Sequence, residues 1–403
     1  MLLHKTLDRQ LANRPQEVKY CTKCVVSNQR PRIIFDENGV CSACQYAHLK
    51  HHVIDWRQRE EMLVELLARY RSKDGSYDCV VPGSGGKDSS YVAYQLKYKY
   101  GMHPLTVTWA PFMYTDIGWR NYIAFKDSGF DNLLCFPNGV LHRKVTRLAF
   151  ELLGAPFEPF GYGQKAYAFH IAVKFKIPLI FYGESGEVEY GGSTKNVNKS
   201  YEDIDDWKQL YYKGSGIDDL VSYGLEAGFL KKEEIDNNPL PFYRPPQAAD
   251  IKATGIQMHW FSYYKKWVPQ ENYYCAVEHA GFRANPGRSE GTYSKYASLD
   301  DKVDGYHYYM AFIKFGIGRT TSDAAHEVRD GHLTREEGMA LIRRYDGEFP
   351  QKYFKEFLEY LGITQEEFWE VVDFYRSLSP HLWVKINGEW KLRHTINKTG
   401  VDD

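Results

Sequence analysis

Between residues 77 and 182, short apolar runs alternate with helical stretches of ten residues or more, and nothing else in the sequence restricts the fold as strongly. Residues 77–81 (YDCVV), 105–109, 132–136 and 177–182 (IPLIFY) read as strands. Residues 89–100, 118–128, 140–153 and 163–176 read as the helices between them. Strands this apolar leave no face for water, and the intervening helices are long enough for crossover connections. The predicted class is therefore α/β, a parallel sheet with helices on both faces. Residues 56–71 precede it as a helix, with Met62, Leu63, Leu66, Leu67 and Tyr70 at helical spacing. Residues 184–246 are rich in Gly, Asp, Lys and Tyr, periodic only near 218–229, and read as an insertion over the carboxyl edge of the sheet. A further strand is expected within 256–263, after which the chain reads as helical to its end. Thr334 with Glu337 and Thr364 with Glu367 form capping boxes there. The expected division is a cysteine-bearing module at 1–52, the sheet domain at 53–267 and a helical region at 268–403.

Directly after the first strand stands Pro82-Gly83-Ser84-Gly85-Gly86-Lys87-Asp88-Ser89-Ser90, opening a helix. Glycines let the backbone turn tightly and aim its N–H groups at an anion, and the helix N-terminus adds partial positive charge. The serine hydroxyls and the Lys87 ammonium complete a phosphate cradle. A Walker A loop would need Ser or Thr after Gly86-Lys87, where Asp88 stands, and Gly at Val81. The dinucleotide fingerprint fails as well.

Cys21-x-x-Cys24 and Cys41-x-x-Cys44 present four thiolates to one tetrahedral ion, which predicts zinc. Four cysteines leave no open coordination position, so the metal is expected to be structural and to hold together a segment too small to fold on its own core. Free or redox-active cysteines are the other reading. The three other cysteines, Cys79, Cys135 and Cys275, lie far apart in apolar or aromatic surroundings, and an odd total argues against a secreted disulfide framework. No apolar run is long enough to span a bilayer, and Met1 to Asn13 lacks the apolar core of a signal peptide, so the chain reads as cytoplasmic. A net charge of −1 lacks the basic surplus of a general nucleic-acid binder.

The S-G-G-K-D-S stretch, with a strand before it and a helix behind, resembles the PP-loop of the ATP pyrophosphatases, which cleave ATP between the α and β phosphates. That resemblance implies that Gly83, Ser84, Gly85, Gly86, Lys87, Asp88, Ser89 and Ser90 grip ATP, with Asp88 helping to hold Mg²⁺. It places Thr108 and Trp109 beside adenosine, and Gly183-Glu184 at the nucleotide, with Glu184 a second magnesium ligand. An ordinary surface carboxylate is the alternative for Glu184.

Most of the chain further resembles the N-acetyl sugar amidotransferases of surface-polysaccharide and flagellin-glycan biosynthesis. The resemblance runs through the cysteine module, the loop, Tyr182-Gly183-Glu184, Tyr263-Tyr264-x-x-Trp267 and Gln270-Glu271-Asn272. It continues through a C-terminal block containing Tyr-Ala-Ser-Leu-Asp-Asp and the segment from Lys314 to Arg319. Ser185 departs from it, since Asn is expected there. The implied activity is conversion of the acetamido group of an N-acetylated sugar, acidic or nucleotide-linked, into an acetamidino group through an O-adenylyl imidate that ammonia attacks. Lys87, Asp88, Lys314 and Arg319 would then act on the phosphates, and Tyr263, Tyr264 and Trp267 would exclude water over the substrate. A solvated basic helix end is the alternative for the two later cations, and core packing for the aromatics. Residue 2 is Leu and no cysteine lies in a glutaminase elbow, so ammonia is expected from solution or from a separate glutaminase partner. A tRNA sulfurtransferase is the competing reading, and a zinc-ribbon scaffold without activity the third.

Overall fold

The computed structural model describes residues 4–194, 197–202 and 215–396 of the 403-residue chain. The first three residues of the stretch read against a signal peptide, residues 195–196 and 203–214 of the expected insertion, and the end of the helical region at 397–403 lie outside the described residues.

A six-stranded sheet forms the centre, in the order β3-β2-β1-β4-β6-β5. Its strands are β1 (Cys79–Pro82), β2 (Pro104–Trp109), β3 (Asn132–Cys135), β4 (Leu179–Tyr182), β5 (Tyr201–Glu202) and β6 (Gln257–Trp260). All pairings are parallel except that of the short edge strand β5 with β6. Val80 of β1 registers with Leu105 on one side and Ile180 on the other.

Alternation sends the two sets of side chains into two different cores. Val80, Leu105, Val107, Ile180 and Met258 pack under α5 (Gly139–Leu153) and α6 (Glu158–Phe175). Cys79, Val81, Leu179 and Phe181 pack under α2 (Trp56–Tyr70) and α3 (Lys87–Tyr94). Both faces are apolar because both are covered, as the runs of the sequence require.

The helical region differs from its expectation at its end. Trp383–Ile386 and Glu389–Leu392 form an antiparallel hairpin, turning at Asn387 and Gly388 with φ of 52° and 88°. Asn-Gly tolerates two successive positive φ values and so favours the hairpin turn over a helix. The run at 256–263 is likewise a strand only over Gln257–Trp260; Phe261–Tyr264 coils into a helical turn. Both late capping boxes are present, on helices Arg335–Tyr345 and Gln365–Ser377.

The cysteine module does not stand apart. Cys21, Cys24, Val25 and Val26 share one apolar cluster with Ala324, Ala325 and Met339 of the helical region. Arg335 donates to the carbonyls of Cys21 and Cys24, fastening the first knuckle to the start of a C-terminal helix. No helix among the described residues is long and apolar enough to cross a membrane.

Candidate active site

From β1 the chain runs outward through β2 and β3, then crosses back to β4 on the other side of β1. The connections leaving β1 and β4 therefore diverge, which opens a crevice at the strands' carboxyl ends where ligands bind in α/β sheets. The glycine-rich loop leaves β1 here, and Gly183-Glu184 leaves β4. Gly83 N–H donates to Val107 O at 2.9 Å, and Thr108 Oγ1 donates to Gly83 O at 2.6 Å, pinning the loop's first turn to β2. Gly85 has φ +84°, and a Cβ there would stand 2.7 Å from Asn121 O and Tyr122 Cα. Only glycine fits. Gly86 is the N-cap of α3, so the first N–H groups of that helix have no acceptor within it. Ser90 Oγ is buried there without a protein partner.

Loop and strand end share a cavity of about 620 Å³, with Ser84, Gly86, Asp88 and Ser89 on one wall and Gly183 and Glu184 on the other. Asp88 accepts from Asn272 Nδ2 at 3.0 Å and pairs with the Lys87 ammonium. Burial, and then the field of Asp88, pushes the Glu184 carboxyl up to about 7. Two carboxylates that oppose each other's ionisation form a hard oxygen donor set suited to a cation such as Mg²⁺. A proton and the cation then compete for Glu184. Were Mg-ATP the ligand here, kcat/KM for it should fall by about tenfold per pH unit below about pH 7, and Glu184→Gln should flatten that limb. An acid limb unchanged in E184Q would show that another group titrates.

On its far side the loop is closed by the C-terminal region. A recess of about 160 Å³ lies between Ser84 to Asp88 and the segment Tyr296 to Asp300, with Arg319 on its rim. Thr115 N–H donates to Asp300 O at 3.1 Å and Phe112 N–H to Asp301 Oδ2 at 2.6 Å, seating this segment on the sheet domain. Arg319 pairs with Asp323 at 3.0 Å and donates to the Tyr308 hydroxyl.

Lys314, in contrast, is buried away from the loop. Its Nζ binds Asp8 Oδ2 and Leu153 O, each at 2.7 Å, so the expected phosphate contact is replaced by an ion pair that anchors the N-terminal segment. Thr108 spends its hydroxyl on Gly83, and Trp109 packs among Tyr167, Phe242 and Tyr243 under α6. Neither lines the cleft. Tyr264 is buried against His259, Tyr263 lies under the Arg59 guanidinium, and Trp267, 1% exposed, fills the space a Cβ on Gly183 would need. These aromatics are core, as their apolar spacing equally allowed. Trp267→Ala should accordingly cost about 3–5 kcal/mol in urea unfolding. A variant of unchanged stability but raised KM would return Trp267 to the lid.

The four module cysteines converge. Sγ atoms of Cys21 and Cys44 are 3.8 Å apart, those of Cys24 and Cys41 3.7 Å, and all four lie within 4.8 Å of one another. A tetrahedral ion with sulfur at about 2.3 Å separates its ligands by about 3.8 Å, so the set can hold zinc. Arg329 Nη1 approaches Cys24 Sγ at 3.9 Å and faces the negative charge of the thiolates. The other cysteines are withdrawn from chemistry: burial raises the Cys79 and Cys275 thiols and pushes Cys135 up to about 11.

The sequence reading missed several groups in the cleft. Arg30 and Arg32, from the loop between the two knuckles, reach its wall, as do His307 and Lys165. Burial pulls the Lys165 ammonium down to about 8 despite Glu202 at 2.9 Å. Arg30 and Arg32 flank Pro31 in a polar loop, a signal indistinguishable from solvated charge without the fold.

Residues 290–397 match a family model: the LPS biosynthesis protein WbpG-like, C-terminal domain. The matched part is little more than a quarter of the chain, and it is the part that supplies Arg319, His307 and the Tyr296 to Asp300 segment to the cleft. No curated protein matches the chain.

Proposed function

We propose that the chain is an ATP-dependent, AMP-forming amidotransferase that converts the acetamido group of a sugar into an acetamidino group in lipopolysaccharide or related glycan biosynthesis. One observation carries the reading: the loop of residues 83–90 and the Asp88–Glu184 pair meet at the sheet's switch point, under a segment similar to a lipopolysaccharide-biosynthesis domain. Phosphates would lie against the free N–H groups of α3 and the Lys87 ammonium. Mg²⁺ held by Asp88 and Glu184 would neutralise charge on the departing pyrophosphate.

The amide oxygen attacks the α-phosphorus and pyrophosphate leaves. Ammonia then adds to the imidate carbon, AMP departs with the original oxygen, and the product retains the proton as an amidinium. Water at the same carbon would regenerate the amide, so the enclosing wall of Phe157, Tyr182 and Trp260 serves to exclude it. The three remaining cysteines, none of them on the cleft wall and none with a lowered pKa, weigh against a sulfurtransferase. The test incubates the protein with ATP, Mg²⁺, ammonium and N-acetylated sugars. AMP, pyrophosphate and a product one dalton lighter are expected; ADP and orthophosphate would overturn the reading. Glutamine should replace ammonium only when a glutaminase is added.

A further inference from the structure

Turning an amide into an amidinium leaves a proton over, because the amidinium carries one N–H hydrogen fewer than amide and ammonia bring together. The ammonia lone pair forms the C–N bond, and the adduct nitrogen then gives up a proton. Its electron pair closes the amidine as the C–O bond to AMP breaks. The wall of Phe157, Tyr182 and Trp260 that keeps water from the imidate also keeps water from taking that proton. A base in the wall has to take it instead.

Lys165 is an amine in that wall. It projects from α6 with its side chain 5% exposed, and its Nζ lies 4.1 Å from the Tyr182 ring centre and 4.7 Å from that of Trp260. Glu202 of β5 pairs with it at 2.9 Å. All four residues line the cavity that the 83–90 loop shares, so the pair opens onto the cleft while it fastens β5 to α6. Burial works against the ammonium and Glu202 works for it, which leaves Lys165 at about 8, with amine and ammonium both within reach of one catalytic cycle. Glu202 carries the charge that acts on it. The other titratable groups of the cleft are Glu158 on α6 itself, Glu184 after β4, Lys199 before β5, Arg30 and Arg32 between the knuckles, and His307 of the helix Asp304–Phe315. Burial holds the Tyr182 hydroxyl neutral.

We propose that Lys165, in its amine form, takes the proton from the ammonia adduct, that Glu202 steadies the resulting ammonium, and that solvent recovers the proton once the products leave. The assignment rests on the amidotransferase reading and supplies its base.

The test replaces ammonia by hydroxylamine, on the full chain at saturating Mg-ATP, with N-acetylglucosaminuronic acid or UDP-N-acetylglucosamine, whichever releases AMP, as acceptor. Hydroxylamine is uncharged above neutral pH, so its supply does not bend the profile. Wild-type kcat/KM for hydroxylamine, read as amidoxime product, should fall about tenfold per pH unit below about pH 8. Lys165→Arg keeps a cation for Glu202 but holds its proton throughout this range. It should lower the plateau about 100-fold and abolish the limb, while acceptor-dependent exchange of pyrophosphate into ATP, which precedes the proton's departure, persists. Glu202→Gln should keep the limb and move it about one unit to lower pH, since the ammonium loses its counter-charge.

A wild-type profile with no limb near pH 8, or a K165R variant with wild-type amidoxime kinetics, would overturn the proposal and leave the amidotransferase reading standing. Should K165R lose pyrophosphate exchange as well, the limb of E202Q decides: moved, it supports Lys165 as the base; unmoved, it excludes it. Absence of AMP with either acceptor would remove both readings.

Discussion

Asp88→Asn should lower ATP-dependent AMP release by about 100- to 1000-fold while the protein stays folded. The substitution keeps the size of the side chain, and Asn272 Nδ2, which donates to Asp88 Oδ1 at 3.0 Å, can still donate to an amide oxygen. What disappears is a full negative charge in the first turn of α3, facing both the Lys87 ammonium and Glu184. Without it the cleft loses one of the two carboxylates proposed to hold the cation. Lys87 loses its ion-pair partner, and with it the fixed place the proposal gives it beside the phosphates. If Asp88 and Glu184 share one ion, as proposed, the double variant D88N/E184Q should be little worse than D88N alone. Labelled ATP followed to AMP measures the loss, and the melting temperature reports the fold. AMP release within threefold of wild type would remove Asp88 from the reacting centre.

The sheet was legible because its strands are buried on both faces: the runs ending in Val81, Trp109 and Tyr182 admit no wet side, and a parallel sheet follows from that. The loop's course was legible because the stretch from Gly83 to Ser90 is constrained locally, by a tight turn and a helix start. Long-range partners were not. Lys314 and Arg319 lie five residues apart and look alike in sequence, yet one meets Asp8 and the other reaches the rim of the loop. Nothing local separates a cation that anchors an N-terminal segment from one that faces a ligand. Trp109 and Trp267 carried the same ambiguity, since apolar bulk suits a core and a pocket equally. Arg30 escaped notice for the converse reason: that it stands in the cleft wall with no carboxylate partner among the described residues is visible only in the fold. The hairpin at 383–392 is another matter, because Asn387-Gly388 between alternating side chains is a local signal that the helical reading of the C-terminal region passed over.

Stripping the metal from the cysteine module should have the largest effect on stability of any single change, and the loss should reach beyond the module. A four-thiolate zinc site contributes roughly 10–16 kcal/mol of apparent binding energy, comparable to the roughly 5–15 kcal/mol that holds a whole domain folded. Without the ion nothing bridges the four sulfurs, which lie within 4.8 Å of one another and of which Cys41 and Cys44 hold their protons, and the two knuckles separate. Val25 and Val26 would then leave the cluster they share with Ala324, Ala325 and Met339, and the two helices from 319 to 345 would lose one wall of their core. The sheet has its own cores under α5 and α6 and under α2 and α3, which none of the four module cysteines enters. Metal-free protein should therefore melt in two steps: an early one for the module and the helices it supports, a later one for the sheet. AMP formation should be lost with the first step, since Arg319 opens one of the helices that loosen. Cys24→Ser should reproduce the chelated state, whereas Cys275→Ser, outside the cluster, should retain zinc and a single transition. Calorimetry with and without a chelator, paired with zinc release, decides the matter: a metal-free protein whose melting curve is unchanged would mean that the four cysteines hold the module together without an ion.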